Sequence, residues 1–192
     1  SKYAIAYDLI EAWTNVFSDV AEKDWFYGDV AYAVQSGLFS GTSNLTFAPQ
    51  TSMTRVMLVT VLYRLAGEPS VKGMEKSFDD VKPGQWYTDA VIWAAEKGIV
   101  SGYDSKTFGP DDNITREQLV VILYRYTGES EPASSRQLMF ADADEVSGWA
   151  ATAMSWATTE QMISGKPGNA LDPKGTATRA EVAAVLHRFL DK

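Results

Sequence analysis

The chain of 192 residues contains no cysteine and a single histidine, His187. The first absence excludes disulfides and thiolate metal sites. With one histidine, no His-based nucleophile–base pair and no imidazole cluster can be assembled either. Positive charge is scarce: 17 Lys and Arg stand against 25 Asp and Glu, a net charge of -8. That balance argues against nucleic acid and against anionic membrane surfaces, both of which favour basic faces. No run approaches the roughly 18 apolar residues a membrane span needs, so membrane insertion is not expected. No basic segment followed by an apolar stretch opens the chain, which fits a cytosolic protein or an exported piece without its leader. Calcium-loop spacing is missing too, since Asp104-Ser105-Lys106 lacks the ligands of an EF-hand loop. No acidic pair recurs or stands in an unusual apolar setting, as two-carboxylate hydrolysis would ask. These absences point away from an enzyme and call for no cofactor and no metal.

What the chain does have is repetition, and in such a chain repetition decides the fold. TRVMLVTVLYRLAG begins at Thr54, TREQLVVILYRYTG at Thr115 and TRAEVAAVLHRFL at Thr178. The steps are 61 and 63 residues (115 less 54, 178 less 115). Phe17, Phe78 and Phe140 open FSDV, FDDV and FADA; Trp25, Trp86 and Trp149 follow, then Tyr32, Trp93 and Trp156. Gly41, Gly102 and Gly165 begin short loops that carry Pro49, Pro110 and Pro173 in register. Each repeat therefore reads as helix, loop, helix, over 17–67, 78–128 and 140–190. Gln161 stands where Gly37 and Gly98 end the first helix, so that end should close differently. Residues 1–16, with apolar positions Ile5, Leu9, Ala12, Trp13 and Val16, predict one further amphipathic helix. Two-helix units of this size bury their apolar faces poorly alone, which favours an all-α bundle of three repeats in one chain.

The second helix of each repeat is the most informative. Thr115 with Gln118 and Thr178 with Glu181 form capping-box pairs, whereas Met57 cannot complete one for Thr54. Arg55, Arg116 and Arg179 fall at the first helical position, where opposing the macrodipole costs roughly 0.3–1 kcal/mol. Two readings account for a cation there. It pairs with the repeated carboxylates Asp19, Asp80 and Asp142 as a clamp between repeats. Alternatively, with the free N–H groups of the helix start, it makes a small anion site whose guanidinium fork suits a carboxylate. The three Asp residues read as turn or cap acceptors, or as contacts to a sugar hydroxyl or to Arg. Trp25, Trp86 and Trp149 read as packing anchors or as platforms for the apolar face of a sugar. Tyr103 and Lys166 lie on the Gly loops, within reach of any ligand there. His187 occupies the register of Tyr63 and Tyr124 and reads as an ordinary helix residue.

The succession F-x-D-V, Trp, aromatic–Ala helix, Gly loop ending in F-x-P, and T-R-A-E resembles the S-layer homology domain, in three tandem copies over residues 17 to 190. Thr178-Arg179-Ala180-Glu181 matches the family signature letter for letter. Thr115-Arg116-Glu117-Gln118 departs at the last two positions, and Thr54-Arg55-Val56-Met57 keeps only Thr-Arg. The resemblance implies a pseudo-threefold spindle with ligand grooves between neighbouring repeats, the signature arginine facing each groove. It also implies a function. Domains of this family anchor exported bacterial proteins to the cell wall by binding secondary cell-wall polysaccharides, commonly bearing ketal-linked pyruvate. The expectation is therefore a non-catalytic, extracellular wall anchor whose partner is an anionic polysaccharide linked to peptidoglycan. Its expected binding residues are Arg55, Arg116, Arg179, Asp19, Asp80, Asp142, Trp25, Trp86 and Trp149. Replacing Arg116 or Arg179 should then weaken binding and leave the fold intact. The alternative is a protein–protein assembly module of a surface layer, with S-layer lattice contacts in place of glycan.

Overall fold

The computed structural model describes residues 13–75, 78–128 and 138–191. Among these residues there are six α-helices: α1 (Tyr27–Gln35), α2 (Arg55–Leu65), α3 (Thr88–Glu96), α4 (Arg116–Thr127), α5 (Ala151–Thr159) and α6 (Arg179–Leu190). Two 3-10 turns, Ala143–Glu145 and Gly148–Ala150, lead into α5. No strand is present among the described residues, only isolated bridges, so the all-α class holds. The N-terminal helix expected over 1–16 falls mostly outside the described residues. Its last part, 13–16, is not helical, and there Trp13 packs against Phe17 and Tyr27.

The caps act as the sequence demands. Thr115 and Thr178 form full capping boxes with Gln118 and Glu181. Thr54 keeps half of one, accepting from Met57 N at 3.4 Å, because Met57 has no acceptor to return. Each first helix ends on a left-handed residue: Gly37 at φ 70°, Gly98 at φ 70° and Gln161 at φ 57°. Gln161 does not close its helix differently, as its sequence suggested. Met162 N still donates to Ala157 O, as Leu38 N does to Ala33 O and Ile99 N to Ala94 O. The hydrogen bonds hold Gln161 in a conformation that costs a side-chain-bearing residue about 1 kcal/mol.

The chain divides into two compact units, residues 1–52 with 178–192, and residues 53–177. In the first, α1 packs on α6; in the second, α2 packs on α3 and α4 on α5. The second helix of one repeat thus lies on the first helix of the next, and repeat 1's first helix lies on the last helix of the chain. The interfaces share an aromatic pair: Tyr63 with Trp93 at 5.5 Å, Tyr124 with Trp156 at 5.4 Å, Tyr32 with His187 at 4.1 Å. Trp93 and Trp156 are buried as expected, but Tyr32 is only half-buried, stacked flat on the smaller imidazole. His187 Nδ1 also lies 2.8 Å from Asp29 Oδ1, a pairing open to it because Asp29 replaces the Ala90 and Ala153 of the other repeats.

Within the larger unit the residues just before the three caps form a closed ring. Met53 N donates to Ala177 O (2.9 Å), Ala177 N to Ile114 O (3.0 Å) and Ile114 N to Met53 O (2.8 Å). All three are fully buried. Away from water, such amides must find partners, and each repeat supplies one donor and one acceptor.

Candidate functional site

The helix-start arginines are buried, and their side chains point at peptide carbonyls. Arg55 Nε donates to Phe108 O (2.9 Å) and its Nη2 to Ser101 O (3.1 Å). Arg116 makes the same pair with Leu171 O (2.7 Å) and Ser164 O (3.1 Å), and Arg179 with Phe47 O (2.8 Å) and Ser40 O (2.7 Å). Each guanidinium therefore ties together the two ends of a Gly loop in another repeat. Burial pushes the pKa of Arg55 and Arg179 below the ordinary arginine range, while nearby anionic groups, Asp80 and Asp19 among them, oppose that shift. The flanking rings help hold the charge: Tyr103 and Phe108 lie 4.8 and 4.6 Å from the Arg55 guanidinium carbon. For Arg179 the rings are Phe39 and Phe47.

The repeated Asp residues grip the same peptide from its other side. Asp19 accepts from Phe47 N and Ala48 N, both at 2.8 Å. Asp80 accepts from Phe108 N (2.9 Å) and Gly109 N (2.8 Å), and Asp142 from Leu171 N and Asp172 N, both at 2.7 Å. At Phe47, Phe108 and Leu171, then, the N–H goes to an Asp and the C=O to an Arg. Asp142 is subject to burial, which raises its pKa, but the Leu171 and Asp172 amides outweigh that and hold it below the ordinary value. The opposed readings, ion-pair clamp or open anion site, meet in a third arrangement: Asp and Arg act together through one shared peptide.

The helix-start amides are occupied as well, which removes one support for an anion site there. Arg55 N donates to Asp112 O and Val56 N to Pro110 O; Arg116 N donates to Gly175 O and Glu117 N to Pro173 O. Arg179 N and Ala180 N donate to Thr51 O and Pro49 O. The third amide of each helix goes to its Thr cap. The Gly loops have no slack either. A Cβ on Gly102 would lie 2.6 Å from the Phe78 ring and 2.4 Å from two loop carbonyls, which explains why Phe and Gly recur together.

Trp25, Trp86 and Trp149 are 62%, 61% and 57% exposed, so they do not serve as packing anchors. Trp149 borders a cavity of about 390 Å³ in the larger unit. Its walls are Arg55 and the loop Ser101-Gly102-Tyr103 on one side, and Gln118, Val121 and Arg125 of α4 on another. Among the described residues, no acidic side chain lines it. Arg125 was passed over in the sequence, although Arg64, Arg125 and Arg188 recur nine residues after each signature arginine. It is exposed, and among the described residues its hydrogen bond is to Ser101 Oγ, at 3.4 Å. Lys166, by contrast, is paired with Asp172 at 2.6 Å.

A further contact fixes the approach to Trp149. The buried Glu117 carboxylate accepts from Ser147 N and Ser147 Oγ, both at 3.0 Å, and from Lys174 Nζ at 2.6 Å. Lys174 Nζ also meets Ser147 Oγ. Neither Val56 nor Ala180, at the corresponding positions, can do this, so the anchored entry two residues before Trp149 belongs to repeat 3 alone.

The family model for the S-layer homology domain matches residues 16–55, 77–120 and 140–183. The chain belongs to this family, in three tandem copies. It is 30% identical to an amylopullulanase of Thermoanaerobacterium thermosulfurigenes over 94% of its own length and 10% of that protein's. It is 30% identical to the surface-layer 125 kDa protein of Lysinibacillus sphaericus (82% of this chain, 13% of that one). Against a cellulosome-anchoring protein of Acetivibrio thermocellus the identity is 29% (70% and 30%). The chain thus spans a tenth to under a third of the length of these relatives.

Proposed function

We propose that the chain is a non-catalytic module that holds its protein at the bacterial cell surface by binding an anionic wall polysaccharide. The observation that carries this reading is the Trp149 groove: an exposed indole and two guanidinium groups line one hollow, with no acid among its described lining residues, on a chain of net charge -8. A sugar ring stacks on Trp149, and its acidic substituent, a pyruvate ketal on the family's pattern, lies toward Arg125 and Arg55. Arg125 supplies donors at the rim; Arg55 supplies charge from the wall while its bonds hold the loop. Arg116 and Arg179 with Asp19, Asp80 and Asp142 shape the equivalent loops, and Trp25 and Trp86 offer further stacking faces. The relatives support anchoring because proteins named as an amylopullulanase, a surface-layer protein and a cellulosome-anchoring protein all match this segment over a small part of their own length.

Co-sedimentation with Gram-positive wall sacculi tests the reading, using sacculi that are intact, stripped of secondary polymer, or stripped of pyruvate ketals alone. Binding should be lost in both treated samples. Binding unchanged by either treatment would assign the ligand to peptidoglycan and sink the polysaccharide reading.

A further inference from the structure

A second hollow, of about 360 Å³, lies beside Trp86 between α2 and α3. Three features set it apart from the Trp149 groove. Its charged lining is one guanidinium, Arg64, against two carboxylates, Glu68 and Asp89. Neither carboxylate takes part in an ion pair or side-chain hydrogen bond among the described residues. Both act on the Tyr63 hydroxyl, which burial first and then the two carboxylates, Asp89 ahead of Glu68, push up in pKa. Next, Thr60 lines the hollow, is 5% exposed, and its hydroxyl has no hydrogen-bond partner. A buried hydroxyl left unpaired is costly, and a ligand hydroxyl would relieve it. Last, the Trp86 ring is braced edge-on by Tyr87 (5.2 Å, 87°) and stays largely exposed.

The repeats provide an internal control. In the register of Thr60 and Asp89, the next repeat has Val121 and Thr152. At these two positions the Trp149 side offers no acid, whereas the Trp86 side has gained an acid and an unpaired hydroxyl.

We propose that the Trp86 hollow is a second carbohydrate site, for a sugar bearing a protonated amine. The pyranose ring stacks on Trp86, the ammonium lies between the indole face and the carboxylates of Asp89 and Glu68, and a ring hydroxyl reaches Thr60. The site rests on the reading of the chain as a wall-glycan binder, but it takes the opposite charge. The protein then reads two chemically different sugars, an acidic one at Trp149 and an amine-bearing one at Trp86.

Isothermal titration calorimetry with a glucosamine tetramer and its fully N-acetylated counterpart, at about pH 6 where amines are protonated, tests this. The glucosamine tetramer should bind about tenfold more tightly than the acetylated one. The double substitution Asp89→Asn, Glu68→Gln should erase that preference, Trp86→Ala should remove binding of both, and Trp149→Ala should leave the preference in place. Equal affinity for the two tetramers, a preference that survives the double substitution, or binding to neither would overturn the proposal. The sacculus assay reads the anchoring function separately. Loss of the amine preference with intact polymer-dependent sedimentation would defeat this site alone.

Discussion

Trp149 and Trp86 hold the same register in consecutive repeats, yet the hollows they border carry opposite charge. Among the described residues, Arg55 and Arg125 stand around Trp149 with no acid, whereas around Trp86 the carboxylates of Glu68 and Asp89 outnumber Arg64. The frame beneath is the same in all three repeats: an Asp on the amide and an Arg on the carbonyl of one loop peptide, and a Phe ring closed over a glycine. Buried polar contacts are hard to vary, since a lost partner leaves a desolvated group behind, while exposed lining residues change at little cost. The repeats share what holds each loop and differ in what lines the hollow beside each tryptophan.

The comparison can be broken most forcefully at its shared frame. Arg55→Ala removes both bonds that tie Ser101 to Phe108 and strands two carbonyls, and should cost about 3–5 kcal/mol in a denaturant melt. The same bonds at Arg116 and Arg179 lead us to expect a stability loss there too, in place of the intact fold expected from sequence for those two. A variant melting with wild type would return them to a purely ligand-facing role. Glu117→Ala tests what is individual to the Trp149 side. It leaves the Ser147 amide and Lys174 without their acceptor and should cost about 1–3 kcal/mol. Asp89→Asn, the surface counterpart on the Trp86 side, should change stability by less than about 0.5 kcal/mol.

Acid stability gives a smaller signal with a defined sign. The folded pKa of Asp142 lies below its unfolded value, so its contribution is present above about pH 4. It is lost as pH falls through the folded pKa, because the protonated acid no longer favours the Leu171 and Asp172 amides. Asp142→Asn should flatten this part of the stability–pH curve; an unaltered acid limb would rule the contribution out. Gln161→Gly should act in the stabilising direction. Relief of the left-handed strain is offset in part by the freer unfolded chain, leaving a gain of up to about 1 kcal/mol in thermal unfolding.

Much of this was legible as letters. The repeat, the Thr caps with Gln118 and Glu181, the all-α class and the recurrence of Trp25, Trp86 and Trp149 follow from residue identities at fixed spacing. The arginine clamps did not, because their partners are backbone carbonyls, which have the same chemistry at every residue. The filled helix-start amides were hidden for the same reason. Gln161 misled because glycine marks the left-handed ending by preference, while the ending itself is set by hydrogen bonds to Ala157. Arg125 was readable from its threefold recurrence but stood in a helix that looked wholly structural. Glu117 was not, since its partners Ser147 and Lys174 lie 30 and 57 residues away in sequence.

The most direct test of the account takes one doubly substituted surface variant into the sacculus assay. Arg125→Ala with Trp149→Ala strips the Trp149 groove of its rim cation and its platform without touching a clamp. The account predicts wild-type melting and about a hundredfold loss of affinity for polymer-bearing sacculi, from one charged contact and one stacking face. Undiminished sedimentation of this variant would show that the anionic polysaccharide is held elsewhere.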